Sequence, residues 1–307
     1  MVEQKSISLR AWAGLLLLAL IWGASFLSNA VMLREMAVQW IVASRVGLGA
    51  LVLWVYVLIR GLSVPRSGTF WRAAAVMGMF NNVVPFMLIT WGQQHIASGL
   101  ASILNASTAF FGILIAALVF ADERLTPHKL IGVTLGLGGV ALVIGVSALR
   151  GFSITSLGQL AVIGAAISYG VTGSFARARL TGIRPEVAAL GMLTCSTIVM
   201  LPLAWLVAGP PPTDLSADVI AATLYLAVIA TGVAYLLYYW LAKAAGSGNL
   251  LLVTLLVAPV AVALGAIWLN ESLSPQAYAG FALIAAGMIL IDGRVWRKIA
   301  GHGARRN

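Results

Sequence analysis

Between Arg10 and Asp292 the chain contains nine stretches of 14 or more residues with no Lys, Arg, Asp or Glu. A helix needs about 20 mostly apolar residues to cross a hydrocarbon core about 30 Å thick. At that length, residues 11–33, 36–59 (with Arg45 inside), 130–149, 151–176, 187–213, 219–242, 244–270 and 272–291 each predict one span. The run 73–121 is interrupted by Gln93, Gln94, His95 and Gly99, and predicts two. The pattern is that of an all-α integral membrane protein with ten transmembrane helices.

Composition sharpens this reading. The chain is 61% apolar and 9% charged, whereas soluble domains carry about a quarter charged residues, so a soluble fold is excluded. The net charge of +10 first has to be tested as a topology signal rather than as affinity for nucleic acid. With the N-terminus inside, only Arg34 and Arg150 fall in outer segments and only Arg45 within a span, leaving 16 of the 19 basic residues on the inner side. Both termini are therefore expected in the cytoplasm, and nucleic-acid binding is set aside. Ser28-Asn29-Ala30 resembles a signal-peptidase site, but the apolar run before it is longer than a signal peptide's hydrophobic region, so residues 11–33 are expected to stay as a helix. Cys195 is a single mid-helix cysteine and predicts packing, not a disulfide.

The chain also repeats itself. Residues 121–132 read ADERLTPHKLIG and residues 269–280 read LNESLSPQAYAG, 148 positions later, with Glu, Leu, Pro and Gly in register. The same offset pairs Gly139 with Gly287, and an offset of 147 pairs Trp22-Gly23 with Tyr169-Gly170. This predicts a duplicated five-helix unit: residues 1–10 as a cytoplasmic N-terminus, 11–149 as the first repeat, 150–155 as a periplasmic joint, 156–292 as the second repeat and 293–307 as a basic cytoplasmic tail. Because five is odd, the second copy enters the membrane from the opposite side. Thr126-Pro127 and Ser274-Pro275 predict a hydroxyl cap followed by proline in the first helical turn, and Glu123 and Glu271 are expected beside those helix starts, where a carboxylate is favoured. Inverted repeats place a ligand site at the midplane between halves that can open alternately to each side.

The Ile21-Trp22-Gly23-Ala24-Ser25-Phe26 segment, Arg45 in the second helix, and the ERLTPHKLIG and ESLSPQAYAG segments together resemble the two EamA-type halves of the drug/metabolite transporter superfamily, over residues 11 to 292. The resemblance implies a ten-helix carrier with a central cavity lined by helices 1, 3, 4, 6, 8 and 9, and helices 5 and 10 outside it. Among the superfamily's bacterial members, the exporters of amino acids, aromatic ones included, and of related metabolites match best. A multidrug or purine exporter of the same fold is the alternative, and a membrane receptor or structural protein is the alternative of another class.

Polar groups within spans are costly and mark candidate sites. Asn81 and Asn82 sit mid-helix, and Pro85 removes the N–H that would bond the Asn81 carbonyl, which predicts an opened polar turn. Tyr235, Tyr238 and Tyr239 share one helix face, with Tyr235 deepest. Trp22 and Tyr169 are repeat mates expected to face each other and to stack on an apolar ligand. Ser102 with Asn105, and Asn249 with Thr254, add polarity, while Pro259 frees the Leu255 carbonyl. The expected substrate-binding set is thus Trp22, Asn82, Ser102, Asn105, Tyr169, Tyr235 and Asn249, with Arg45, Pro85 and Pro259 as gating or structural residues. Arg45 is expected to pair with Glu35 or to reach outward. Gly132 and Gly136 with Ala282 and Ala286 predict close packing of helices 5 and 10.

No HExxH, GxSxG, cysteine pair, phosphate loop or intramembrane carboxylate pair occurs, so neither an enzyme nor a metal or other cofactor is expected. Phosphorylated sugars would call for a basic cavity, and only Arg45 is available. The partners expected are a small-molecule substrate and the lipid bilayer, for a chain that could act as a monomer. Glu3, Asp122, Glu123, Glu186, Asp292, His128 and His302 fall at the inner side, and Glu35, His95, Asp214, Asp218 and Glu271 at the outer. With no titratable carboxylate or His at the midplane, transport is expected to follow the solute's own gradient.

Overall fold

The computed structural model describes residues 8–120, 125–144, 153–180, 182–245 and 247–292. Ten helices run through them: α1 (Leu9–Met32), α2 (Val38–Ile59), α3 (Gly68–Gly92), α4 (Ser98–Val119) and α5 (Pro127–Ile144) in the first half, then α6 (Ile154–Arg179), α7 (Pro185–Ala208), α8 (Ala217–Ala242), α9 (Ser247–Leu269) and α10 (Pro275–Asp292). Eight are long and apolar enough to cross a membrane, and α9 and α10 carry the shorter apolar stretches Leu256–Leu269 and Pro275–Ile291. Leu16, Leu17, Leu20, Leu51, Val55 and Leu58 are exposed on the outside of the bundle, which suits a surface solvated by lipid, where backbone groups must be satisfied within each helix.

Both halves start their last helix at the expected proline. Pro275 opens α10, with Ser274 Oγ accepting from Ala277 N. Pro127 opens α5, where the Thr126 hydroxyl sits 3.1 Å from His128 Nδ1. Glu123 lies outside the described residues, as do residues 145–152 and the tail 293–307. Glu271 does not serve its own helix: it accepts hydrogen bonds from Ser98 and Gly99 at the start of α4.

The packing of α5 on α10 shows how the halves relate. A Cβ added at Gly139 would stand 2.6 Å from the Gly280 carbonyl, and one at Gly132 would stand 2.6 Å from the Gly287 carbonyl. These are repeat mates: exchanging each residue for its counterpart turns one contact into the other. The helices are antiparallel and cross with backbone against backbone, as small-residue membrane interfaces allow. The glycines Gly280 and Gly287, rather than the expected Ala282 and Ala286, make the approach on the α10 side.

Two helices are locally widened. In α3 the turn Met79–Val83 is a π-turn closed by Val84 N on the Met79 carbonyl. The missing Pro85 donor explains it, since the Asn81 carbonyl cannot find its usual partner. In α8 the widening spans Tyr225–Val233, and Thr231 Oγ1 donates to the Leu226 carbonyl five residues back. No proline lies within or just after this second π segment, and nothing in the local sequence announces it. Pro259 sits inside α9, which continues through it.

Candidate functional site

The widened turns flank a central cavity of about 490 Å³, within the range of small-molecule sites. Its wall draws residues from α1 to α4 and from α6 to α9, while α5 and α10 contribute none among the described residues. The wall thus includes α2 and α7, through Arg45 and Met192, beyond the six helices that the resemblance implies.

Arg45 is the cavity's charge. Its Nε donates to Thr231 Oγ1 at 3.1 Å, and its guanidinium carbon stands 3.6 Å from the centre of the Phe86 ring. It neither reaches outward nor pairs with Glu35, whose carboxylate accepts from Ser216 N in the opposite half. Among the described residues Arg45 has no carboxylate partner. The π-turn of α8 sets this geometry, because Thr231 spends its own proton on the Leu226 carbonyl and turns a lone pair to Arg45.

A polar network stands on another side. Asn81 Nδ2 donates to the Tyr235 hydroxyl at 3.2 Å, and the Thr172 hydroxyl donates to Asn81 Oδ1 at 3.1 Å. Tyr235 donates onward to Asn82 Oδ1 at 3.0 Å, and Asn82 Nδ2 to Ser196 Oγ at 3.1 Å. The π-turn of α3 brings both asparagines to this network, but they play different parts. Asn81 lines the cavity, whereas Asn82 is fully buried behind it with its amide satisfied on both sides. Asn82, expected in the cavity wall, is instead buried one residue away from the lining asparagine.

The aromatic residues gather as a third surface. Trp22 and Tyr169 both line the cavity, but the ring neighbour of Trp22 is Tyr238, at 5.7 Å, and its indole N–H donates to the Ala230 carbonyl. Tyr235 stacks on Tyr239 at 6.1 Å, and Tyr238 meets Tyr239 edge-on at 5.5 Å. All three α8 tyrosines face the cavity, not Tyr235 alone. Ser102 and Asn105 line it from α4, as does Thr254 from α9. Asn249 belongs to α9, but its side chain lies outside those described. Pro85 and Pro259 act through the backbone and are not in the wall.

Sequence reasoning missed Asn29, Phe86, Thr172 and Thr231. The signal for Thr172 was its place three residues after Tyr169, on the same helix face. In the sequence Asn29 stands out only as part of a cleavage-site pattern.

The model of the EamA-like transporter family matches the chain twice, over residues 10–145 and 156–292. A probable terminal-alkyne amino-acid exporter from Streptantibioticus cattleyicolor is 29% identical over 94% of this chain and 95% of its own length. A probable amino-acid metabolite efflux pump from Escherichia coli is 30% identical over 71% of this chain and 75% of its own. A solved crystal structure with 18% identity superposes with a TM-score of 0.66 over 92% of this chain and 97% of that one, a likeness of fold. With ten helices, a duplicated family match and a central cavity, the chain is a multi-pass membrane transporter rather than an enzyme, and it belongs to the EamA-like transporter family.

Proposed function

We propose that this chain is an alternating-access carrier of the inner membrane that exports amino acids, aromatic ones included, by facilitated diffusion or exchange, with both termini in the cytoplasm. The observation that carries this reading is Arg45, a guanidinium at the cavity wall with no carboxylate partner among the described residues. An uncompensated charge in a low-dielectric site costs several kcal/mol, and a substrate carboxylate would offset that cost while bound. The Phe86 face and Thr231 fix the guanidinium plane, leaving its other N–H groups for a bidentate carboxylate. Trp22, Tyr169, Tyr235, Tyr238 and Tyr239 offer apolar faces to a side chain. A positive wall disfavours the alternative of a cationic-drug exporter. The names of the two exporter relatives point to the same substrate class.

The test is amino-acid counterflow in proteoliposomes with Arg45→Gln and Arg45→Lys. Loss of carboxylate pairing predicts at least a 30-fold fall for Arg45→Gln, with partial function in Arg45→Lys and unchanged folded yield in both. Normal counterflow by Arg45→Gln would sink the reading.

A further inference from the structure

Three residues of the cavity wall each carry a buried oxygen with no hydrogen-bond partner: Asn29 Oδ1, Ser102 Oγ and Asn105 Oδ1. The amide of Asn29 cannot be turned round. The Phe26 carbonyl only accepts, so Gln93 presents Nε2 to it, at 2.9 Å, and must offer Oε1 to Asn29. Asn29 therefore donates from Nδ2, at 3.1 Å, and is left with Oδ1 free. Ser102 and Asn105 stand three apart on α4 and share a face, and α4 packs against α1. Asn29 and Ser102 are 2% and 1% exposed, so bulk water does not serve them.

Leaving a buried acceptor unpaired costs about 1–3 kcal/mol, and most buried polar atoms in proteins are satisfied. Three orphans on two adjoining helices therefore indicate a ligand group rich in donors. A primary ammonium carries three N–H donors, one for each oxygen. Its charge is compatible with Arg45 only if a negative group comes between them, and the α-carboxylate of an amino acid is such a group. Counted from helix ends on the same side, Ser102 lies about 6 Å and Arg45 about 10 Å along their helices at 1.5 Å per residue, so the two subsites fall at neighbouring depths.

We propose that Asn29, Ser102 and Asn105 form the receptor for the substrate's α-ammonium, so that the carrier selects free α-amino acids over carboxylates that lack an amino group or carry it acylated. This deepens the reading of Arg45 as the carboxylate partner and rests on it.

The experiment measures binding and counterflow of radiolabelled phenylalanine, leucine and threonine by the reconstituted full-length carrier. Competitors are 3-phenylpropionate, N-acetylphenylalanine and 2-phenylethylamine. The proposal expects the first two to compete at least 30-fold more weakly than phenylalanine, and Ser102→Ala with Asn105→Leu to weaken phenylalanine about 10-fold while leaving 3-phenylpropionate unchanged. Asn29→Leu, which also releases Gln93, serves as a second variant, read by the same competitor ratio rather than by transport alone. Equal competition by 3-phenylpropionate, or an unchanged ratio in the variants, as expected if the three oxygens hold only a structural water, overturns the ammonium receptor and leaves the carboxylate reading standing. Competition by 2-phenylethylamine as strong as by phenylalanine overturns the carboxylate reading instead, and no binding of any of the three amino acids overturns both.

Discussion

Glu271, in the loop between α9 and α10, caps the helix that begins at Ser98 in the other half of the molecule. Its Oε1 accepts from Ser98 N at 2.8 Å, and its Oε2 from Ser98 Oγ at 2.7 Å and from Gly99 N at 3.2 Å. The first N–H groups of a helix have no partner within it and favour a negative charge. Here that charge comes from the second repeat, so one local need braces the two halves. Gly265 leaves room for the carboxylate, since a Cβ there would strike it.

Glu271→Ala strips an acceptor from three donors at once. Caps and buried donors of this kind are worth about 1–3 kcal/mol, so thermal unfolding in detergent should begin several degrees lower. Ser98→Ala, which removes one of the three donors, should cost less. An alanine variant at 271 as stable as the parent would show that the brace carries no energy.

The α5–α10 contact gives a paired test. A Cβ at Gly287 would stand 2.5 Å from the Gly132 carbonyl, whereas one at Gly138 on α5 meets nothing within 4 Å. Gly287→Ala must push the helices apart and should cost about 1–3 kcal/mol. Gly138→Ala should be neutral or slightly stabilising, because alanine favours helix. Equal melting temperatures for the two variants would argue against backbone-level packing.

Tyr235→Phe removes a hydroxyl that donates to Asn82 and accepts from Asn81. The Asn82 oxygen keeps only the longer contact from Asn81 Nδ2, at 3.5 Å, a loss of about 0.5–1.5 kcal/mol, and Asn81, still held by the Thr172 hydroxyl, loses its tie to α8. Counterflow should fall about 10-fold with little change in folded yield. Full activity would place this network outside the transport cycle.

No Asp, Glu or His lines the cavity among the described residues, so counterflow should run at full rate without a pH difference and change little between pH 6 and 8. Glu35, exposed in the loop between α1 and α2, does not supply the missing proton site. The Ser216 backbone N–H, and then its hydroxyl, hold the Glu35 carboxyl below the usual carboxylate range. A depressed pKa means that this contact is fully present above the unfolded value, about 4.3, and is lost as pH falls through the lower folded value. Glu35 is therefore ionised throughout the working range. Strict dependence of transport on an imposed proton gradient would overturn this account.

Orientation can be read with an impermeant maleimide in a Cys195→Ala background. Cysteines at positions 35 and 214 should label in intact cells, and those at 66 and 184 only after permeabilisation. The reverse pattern would invert the assignment drawn from the basic residues.

The sequence by itself determined the solvent, the number of helices, the duplication and the family, because a lipid core imposes a length and an exclusion of charge that can be counted residue by residue. Pro85 likewise announced the opened turn at Asn81, since a missing donor is a local fact. Only the tertiary structure decided which side of that turn faces the cavity: one residue of rotation separates lining Asn81 from buried Asn82, and the widened turn shifts the helix phase on which such a choice depends. The π segment of α8, which aims Thr231 at Arg45, left no comparable local mark. The same holds for the distant partners. Arg45 with Phe86, Trp22 with Tyr238, and Glu271 with Ser98 are pairings set by how ten helices cross, and helices that are apolar on nearly every face carry no periodic signal of which neighbour each will meet.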